Sequence, residues 1–291
     1  GIDRDLLERA RGGQPVLLDP VTCPKCLYSA SSDVFDEPVD EGTKKWILSK
    51  PLLVPQHRPG LRGPTEGMEP EGARFPAWVR HDLIAQIRRH QGAGPDELSY
   101  RLCEVAWSVR FEENPFQEGF TSDEADAAVV ASGVAVPDPA GRDDVAFDLA
   151  VARALLPKLP GLPPAQRRPA AMLAGFLLRT HGEHPELLEA LPTLALGSEL
   201  EAAVRTSIEL ERGYQARALT EIEKLLPSLP ADSENLPVLT YLAGELHRRL
   251  GRPEPARDYF RKAAALPNAQ DWVKAWSAEQ EKLTQLPSLP R

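Results

Sequence analysis

Apolar residues recur at helical spacing over most of the chain beyond Phe75. In FPAWVRHDLIAQIRRHQG, Trp78, Leu83 or Asp82, Ile84 and Ile87 stand near that spacing, with proline ahead and Gly92 behind, which predicts a helix. In PDELSYRLCEVAWSVRF, Leu98, Leu102, Val105, Ala106 and Val109 make one apolar stripe. SDEADAAVVAS predicts a further helix, with Ser122 as N-cap and Asp123 and Glu124 in its first turn. Another is expected to begin near Arg142.

The second half repeats helix, glycine turn, helix, proline. The units are RPAAMLAGFLLRTHGEHPELLEALPTLAL, SELEAAVRTSIELERGYQARALTEIEKLLPSLP and NLPVLTYLAGELHRRLGRPEPARDYFRKAAALPN. Their turn glycines, Gly182, Gly213 and Gly251, are 31 and 38 residues apart. Periods in this range signal a helical solenoid. DWVKAWSAEQEKLTQL reads as the closing helix, with Glu279, Gln280, Glu281 and Lys282 on its polar outer face.

Residues 1–74 pattern differently. DLLERA predicts a short helix before a Gly-Gly turn, and LYSASSDVF after Cys26 has strand character. KKWILSKPLLVP reads as a short strand or an extended arm, and HRPGLRGPTEGMEPEGARF as loop. The expected organisation is an N-terminal segment over 1–74 and a helical domain over 75–291. The fold class is mainly α, an antiparallel helix-pair solenoid preceded by a small irregular or β segment. Twenty-nine prolines in 291 residues suit this reading, because proline fits helix starts and inter-helix turns and is hard to place in sheets.

The third repeat resembles a tetratricopeptide repeat (TPR). With Ala256 as the small residue of its second helix, Gly244, Gly251, Phe260 and Ala263 fall at that family's offsets, and the family's proline is displaced by one, at Pro267. The second unit matches through Gly213, Ala218 and Pro230, with Ile222 where phenylalanine is typical; the first is only TPR-like. DLLERARGGQPVLLDPVTCPKCLYSA, EVAWSVR and YLAGELHRRLGRPEPARDYFRKA together resemble the bacterial domain-of-unknown-function family 2225, which joins two CxxC motifs to TPR-like helices. CPKCLYSA corresponds to the second CxxC, with Leu27 in place of the usual glycine; the first should lie upstream of residue 1. The chain opens at Gly1 rather than methionine, which is compatible with an N-terminal truncation, and no signal peptide leads it.

Cys23 and Cys26 have the spacing of one edge of a zinc ribbon. A closed zinc site needs four ligands, so zinc is expected only if histidine, aspartate or a second chain completes the site; the nearest histidine is His57. A redox pair is a weaker reading, since no βαβ context surrounds it. Cys103, beside Leu102 and Ala106, reads as a small buried hydrophobe. His181 and His184 read as a solvated turn. Glu112–Asp148 is an acidic run, read as a solvated face or an attraction for a basic partner. Arg74, Arg80, Arg88, Arg89, Arg101 and Arg110 are expected to pair internally or to touch an acidic ligand.

The net charge of -9 argues against general affinity for nucleic acid or anionic membranes. Three cysteines make no disulfide framework, so a reducing cytoplasm is expected. No Walker A, HExxH, GxSxG or GxGxxG motif occurs. The TPR resemblance implies a concave groove lined by the first helix of each pair. In the third unit those positions are Val238, Tyr241, Glu245, Arg248 and Arg249, though Glu245 with Arg248 or Arg249 also fits an ordinary pair on a wet helix. The expected function is a non-enzymatic adaptor or scaffold that binds a peptide or partner helix. The alternatives are an enzyme or regulatory subunit with a pocket between the 37–74 loop and the helices, and a structural subunit.

Overall fold

The computed structural model describes residues 2–8, 14–56, 75–117, 119–134 and 144–284. Among these residues are twelve α-helices and one two-stranded antiparallel sheet, so the chain is mainly helical with a small β element. They divide into two compact units that do not follow chain order: Ile2–Glu112 with Leu210–Gln285, and Glu113–Glu209.

The larger unit begins with α1 (Pro15–Leu18), β1 (Pro20–Thr22) and β2 (Ser29–Ser31), the strands paired with Val21 opposite Ala30. Helix α2 (Glu41–Leu48) follows, then α3 (Ala77–His90) and α4 (Pro95–Glu112). The whole predicted stripe of α4 is buried. The first turn of α3 has no side-chain cap of its own; the Glu112 carboxylate accepts from the Ala77 and Trp78 amides at 2.9 Å each.

In the smaller unit are α5 (Ser122–Ser132), α6 (Asp144–Leu155), α7 (Pro164–Thr180) and α8 (His184–Leu194). The cap of α5 is Thr121, one residue before the expected Ser122. Its hydroxyl accepts from the Glu124 amide while the Glu124 carboxylate accepts from the Thr121 amide, a reciprocal capping box. Phe116, Ala152, Leu155, Leu178 and Leu187 are at the heart of this unit's core. Helix α9 (Ser198–Leu225) contributes residues to both units, and α10 (Asn235–Arg249), α11 (Pro253–Ala265) and α12 (Asp271–Leu283) complete the larger one.

Three expectations fail locally. First, the second repeat is not a helix pair: α9 runs unbroken for 28 residues through Gly213, which keeps a helical φ. A lone glycine costs a helix only about 1 kcal/mol. The residues around it, Glu211, Tyr214, Gln215 and Ala218, are all buried and hold the helix on both sides of the glycine. Second, the described part of DLLERA, residues 5–8, is no helix. Ile2–Glu8 forms a turn closed by an isolated bridge between Ile2 and Glu8, with Leu6 at φ 67°. Third, KKWILSKPLLVP is neither strand nor wholly extended: its first part lies in α2, capped by Asp40 accepting from the Thr43 amide, and residues 49–55 are outside helix and strand.

Helices α10 and α11 pack closely because Gly244 has no side chain. A Cβ there would stand 2.8 Å from the Phe260 ring and 3.1 Å from Tyr259 Cβ. Ala256, Phe260 and Ala263 of α11 are buried in the same cluster as Tyr241 and Val273. Gly251, at φ 74°, turns the chain between the two helices, as predicted. In α12 the expected polar face holds except at Gln280, which is buried.

Candidate functional site

Tyr241, Glu245, Arg248 and Arg249 lie one and two turns apart along α10 and so share one face. Val238 is half-buried at its start, against the cluster that contains Tyr241 and Phe260. The other four are buried: Tyr241 and Glu245 are 0 % exposed, Arg249 1 % and Arg248 8 %. Arg248 and Arg249 both donate to the Glu245 carboxylate, at 2.7–2.8 Å, in i, i+3 and i, i+4 arrangements. The expected pair therefore exists, but in the interior rather than on a wet face.

The segment against this face is Ile2–Glu8. The Tyr241 hydroxyl donates to the Arg4 carbonyl at 2.8 Å. Arg249 reaches the Asp5 carboxylate at 3.4 Å. From α4, Arg110 donates to both Asp3 and Asp5, and the Trp107 indole N–H donates to Asp5 at 3.0 Å. From α9, Glu211 pairs with Arg110 at 2.8 Å and accepts from Gln215. Arg4 turns toward α12, where its guanidinium lies 4.6 Å over Trp276 and pairs with Glu279 at 3.2 Å. Leu7 is 1 % exposed and joins the main core of the unit. Within the turn, the Asp3 amide donates to the Leu7 carbonyl and the Leu6 amide to the Asp3 carbonyl.

This geometry explains why the segment is a turn. Residues i and i+2 point to opposite sides of a helix, so a helical Asp3-Arg4-Asp5 could not bring both carboxylates to Arg110. Each buried carboxylate has a guanidinium; Arg110 and Arg249 each meet more than one carboxylate, Arg4 meets a carboxylate and a ring, and Arg248 grips both oxygens of Glu245. Burial pushes the Asp5 carboxyl up, but Arg110 and Arg249 outweigh it and hold it below the ordinary range. Burial opposes the charge on Arg110 as well; Asp5 and Glu211 reverse that and raise it.

Sequence reasoning named α10's side of this site and missed most of the other. Asp3, Asp5, Trp107 and Glu211 were not singled out as site residues, and Arg110 only as one of a basic cluster. The available signals were an Asp-x-Asp spacing and an arginine next to a fully apolar stripe. The other described arginines of that cluster also find internal partners: Arg80 the Pro20 carbonyl, Arg88 Glu97, Arg89 Glu221 and Arg101 Glu104. Arg74 lies outside the described residues.

Cys23 and Cys26 close a tight knuckle. The Cys23 amide donates to the Tyr28 carbonyl and the Leu27 amide to the Cys23 carbonyl, with Leu27 at φ 65° in the place where the resembled family has glycine. Backbone N–H groups of Cys26 and Lys25 bond the Cys23 sulfur and hold its thiol below the usual value, whereas burial pushes Cys26 up. Among the described residues no three His, Cys, Asp or Glu side chains converge as a metal site, so the two thiols do not complete a four-ligand zinc centre there. His57 lies outside the described residues. Cys103 is buried, and that burial raises its thiol well above the ordinary range, as expected of a core hydrophobe.

The His181–His184 turn differs from its solvated reading. His181, Glu183 and His184 are all buried, His181 against Asp148 at 2.8 Å and His184 against Arg179. Arg179, itself 0 % exposed, donates to the Ser207 hydroxyl at 2.8 Å. The cluster forms because α7 ends there on Gly182 at φ 69°, which folds α8 back with both histidines inside.

No family model, curated protein or solved structure matches this chain. No helix among the described residues is long and apolar enough to cross a membrane.

Proposed function

We propose that the protein is a non-enzymatic adaptor or scaffold of the cytoplasm, related to the CxxC-plus-TPR-like family, which binds a peptide or a partner helix on the inner face of α10. The observation that carries this reading is the way α10 receives Ile2–Glu8. A tyrosine hydroxyl takes a main-chain carbonyl, and an arginine takes a side-chain carboxylate. Main-chain capture combined with a few side-chain pockets is how peptide-recognition surfaces work in general.

Support for a TPR-like pair comes from the close approach at Gly244, the ring of Phe260 against it and the glycine turn at Gly251. The α7–α8 pair, turning on Gly182, is the more distant version, and α9, unbroken through Gly213, lends no support to a pair in the second unit.

The test is site-specific. A photo-crosslinking amino acid at Val238 in the full chain, irradiated in the native cell, should yield an adduct with a second protein. Sequencing should place the adduct on one defined peptide of that partner. Adducts only to residues of the same chain would refute the adaptor reading.

A further inference from the structure

We infer that Ile2–Leu7 occupies the site of a partner's acidic turn, and that the partner presents Asp-x-Asp, then a residue that accepts a left-handed backbone, then leucine. The inference rests on the adaptor reading and names the chemistry of its ligand.

Each position of the resident segment defines a requirement. The first and third residues must be acidic, because Arg110 spans both carboxylates and Arg249 and Trp107 add to the second. The residue between them contributes its carbonyl to Tyr241. Its side chain is favoured if cationic, since it meets the Trp276 face and Glu279. The fourth position sits at φ 67°, a region that costs a side chain such as leucine roughly 1–2 kcal/mol and glycine nothing. The fifth is a leucine sealed in the core. The resident segment is therefore a strained version of the sequence the site fits best, and a partner with glycine at the fourth position binds without that strain.

The energetics suit exchange. Buried ion pairs return about what their desolvation costs, so they set specificity more than tightness. Removal of the segment also leaves no arginine abandoned: Arg110 keeps Glu211 and Arg249 keeps Glu245. Without an occupant the buried Tyr241 hydroxyl and Trp107 indole N–H would lose the partners they have here, so the site favours exchange of one turn for another over vacancy. The advantage of the resident is its tether, which acts like a ligand at an effective concentration on the order of 1 mM.

Three measurements test this on the full chain. The probe is a fluorescein-labelled synthetic peptide, Ile-Asp-Arg-Asp-Gly-Leu-Glu. In anisotropy titrations it should bind the Asp3→Asn/Asp5→Asn double variant at least tenfold more tightly than wild type, because the resident is weakened. A control peptide with both aspartates replaced by asparagine should not bind. Circular dichroism and melting establish that the variant is folded. If it is not, the wild-type chain decides alone: hydrogen exchange of the Leu6 and Leu7 amides should quicken when the peptide is added at about 5 mM, above the tether's effective concentration. Unchanged exchange in wild type, or equal binding of the acidic and the asparagine peptides, overturns the inference. If the peptide fails while Val238 still crosslinks a partner, the acidic-turn ligand is wrong and the adaptor reading survives. If both fail, both fall.

Discussion

Two glycines, Gly213 and Gly244, lie inside helices for different reasons, and replacing each with alanine separates them. At Gly213 a Cβ would meet nothing within 4 Å, and the position is exposed. Alanine there should gain the helix-propensity difference, about 1 kcal/mol, with nothing to offset it. At Gly244 the same gain applies, but the Cβ would lie 2.8 and 2.9 Å from two atoms of the Phe260 ring and 3.1 Å from Tyr259 Cβ. Phe260 is fully buried, so the ring cannot swing out. Overpacking of this kind costs roughly 1–3 kcal/mol. The two variants should therefore differ by about 1–3 kcal/mol, with Gly213→Ala above wild type and Gly244→Ala at or below it. Urea unfolding followed by circular dichroism measures the difference directly. In a melt, 1 kcal/mol is roughly 2–4 °C for a unit of this size. A Gly213→Ala variant that melts below wild type would refute the reasoning, since a chain that turned at Gly213 would need a backbone that alanine resists.

Three further expectations follow from particular residues. Glu104, beside Arg101, His81 and Asp19, is buried, which raises its carboxyl to about 7 from 4.5. A raised acid contributes stability that is fully present below the unfolded value and lost as pH climbs through 7, worth about 3 kcal/mol. His81, held near 3 by burial, slopes the opposite way between 3 and 6.5, so the comparison to make is wild type against Glu104→Gln. Wild type should gain about 3 kcal/mol on the variant between pH 8 and pH 4, and parallel stability curves would exclude it. Thr121→Ala removes the α5 capping box and should cost about 1 kcal/mol, read as faster amide exchange in the first turn of α5. Arg110→Met leaves Asp3, Asp5 and Glu211 short of a cation in the interior and should destabilise the larger unit by about 3–5 kcal/mol in urea, with partial recovery when Asp3 and Asp5 become asparagine.

The helices were legible where periodicity and punctuation agree. The α4 stripe, the Gly251 turn and the α12 boundary all carry local signals. Gly213 misled because a glycine between two amphipathic stretches looks the same whether the chain turns or continues; the decision lies in the packing of Tyr214 and Gln215. Asp3 and Asp5 misled for a related reason. In DLLERA the residues after Asp5 favour a helix, and only a guanidinium more than 100 residues away, shared with Asp3, makes the turn the better solution. Buried charge is the least legible quantity in a sequence, because it depends on partners that patterning does not reveal. The burial of Glu245, Arg249 and the His181–His184 turn shares that cause.

Glu112 fastens the first two amides of α3 from the last turn of α4. The first two amides of α3 are therefore held by a residue that follows it in the chain, while the next two, of Val79 and Arg80, donate to the Pro76 carbonyl. A cut or an insertion before Phe75 should leave that helix start in place, whereas loss of the single Glu112 carboxylate would loosen the junction between two helices without touching either one's sequence pattern.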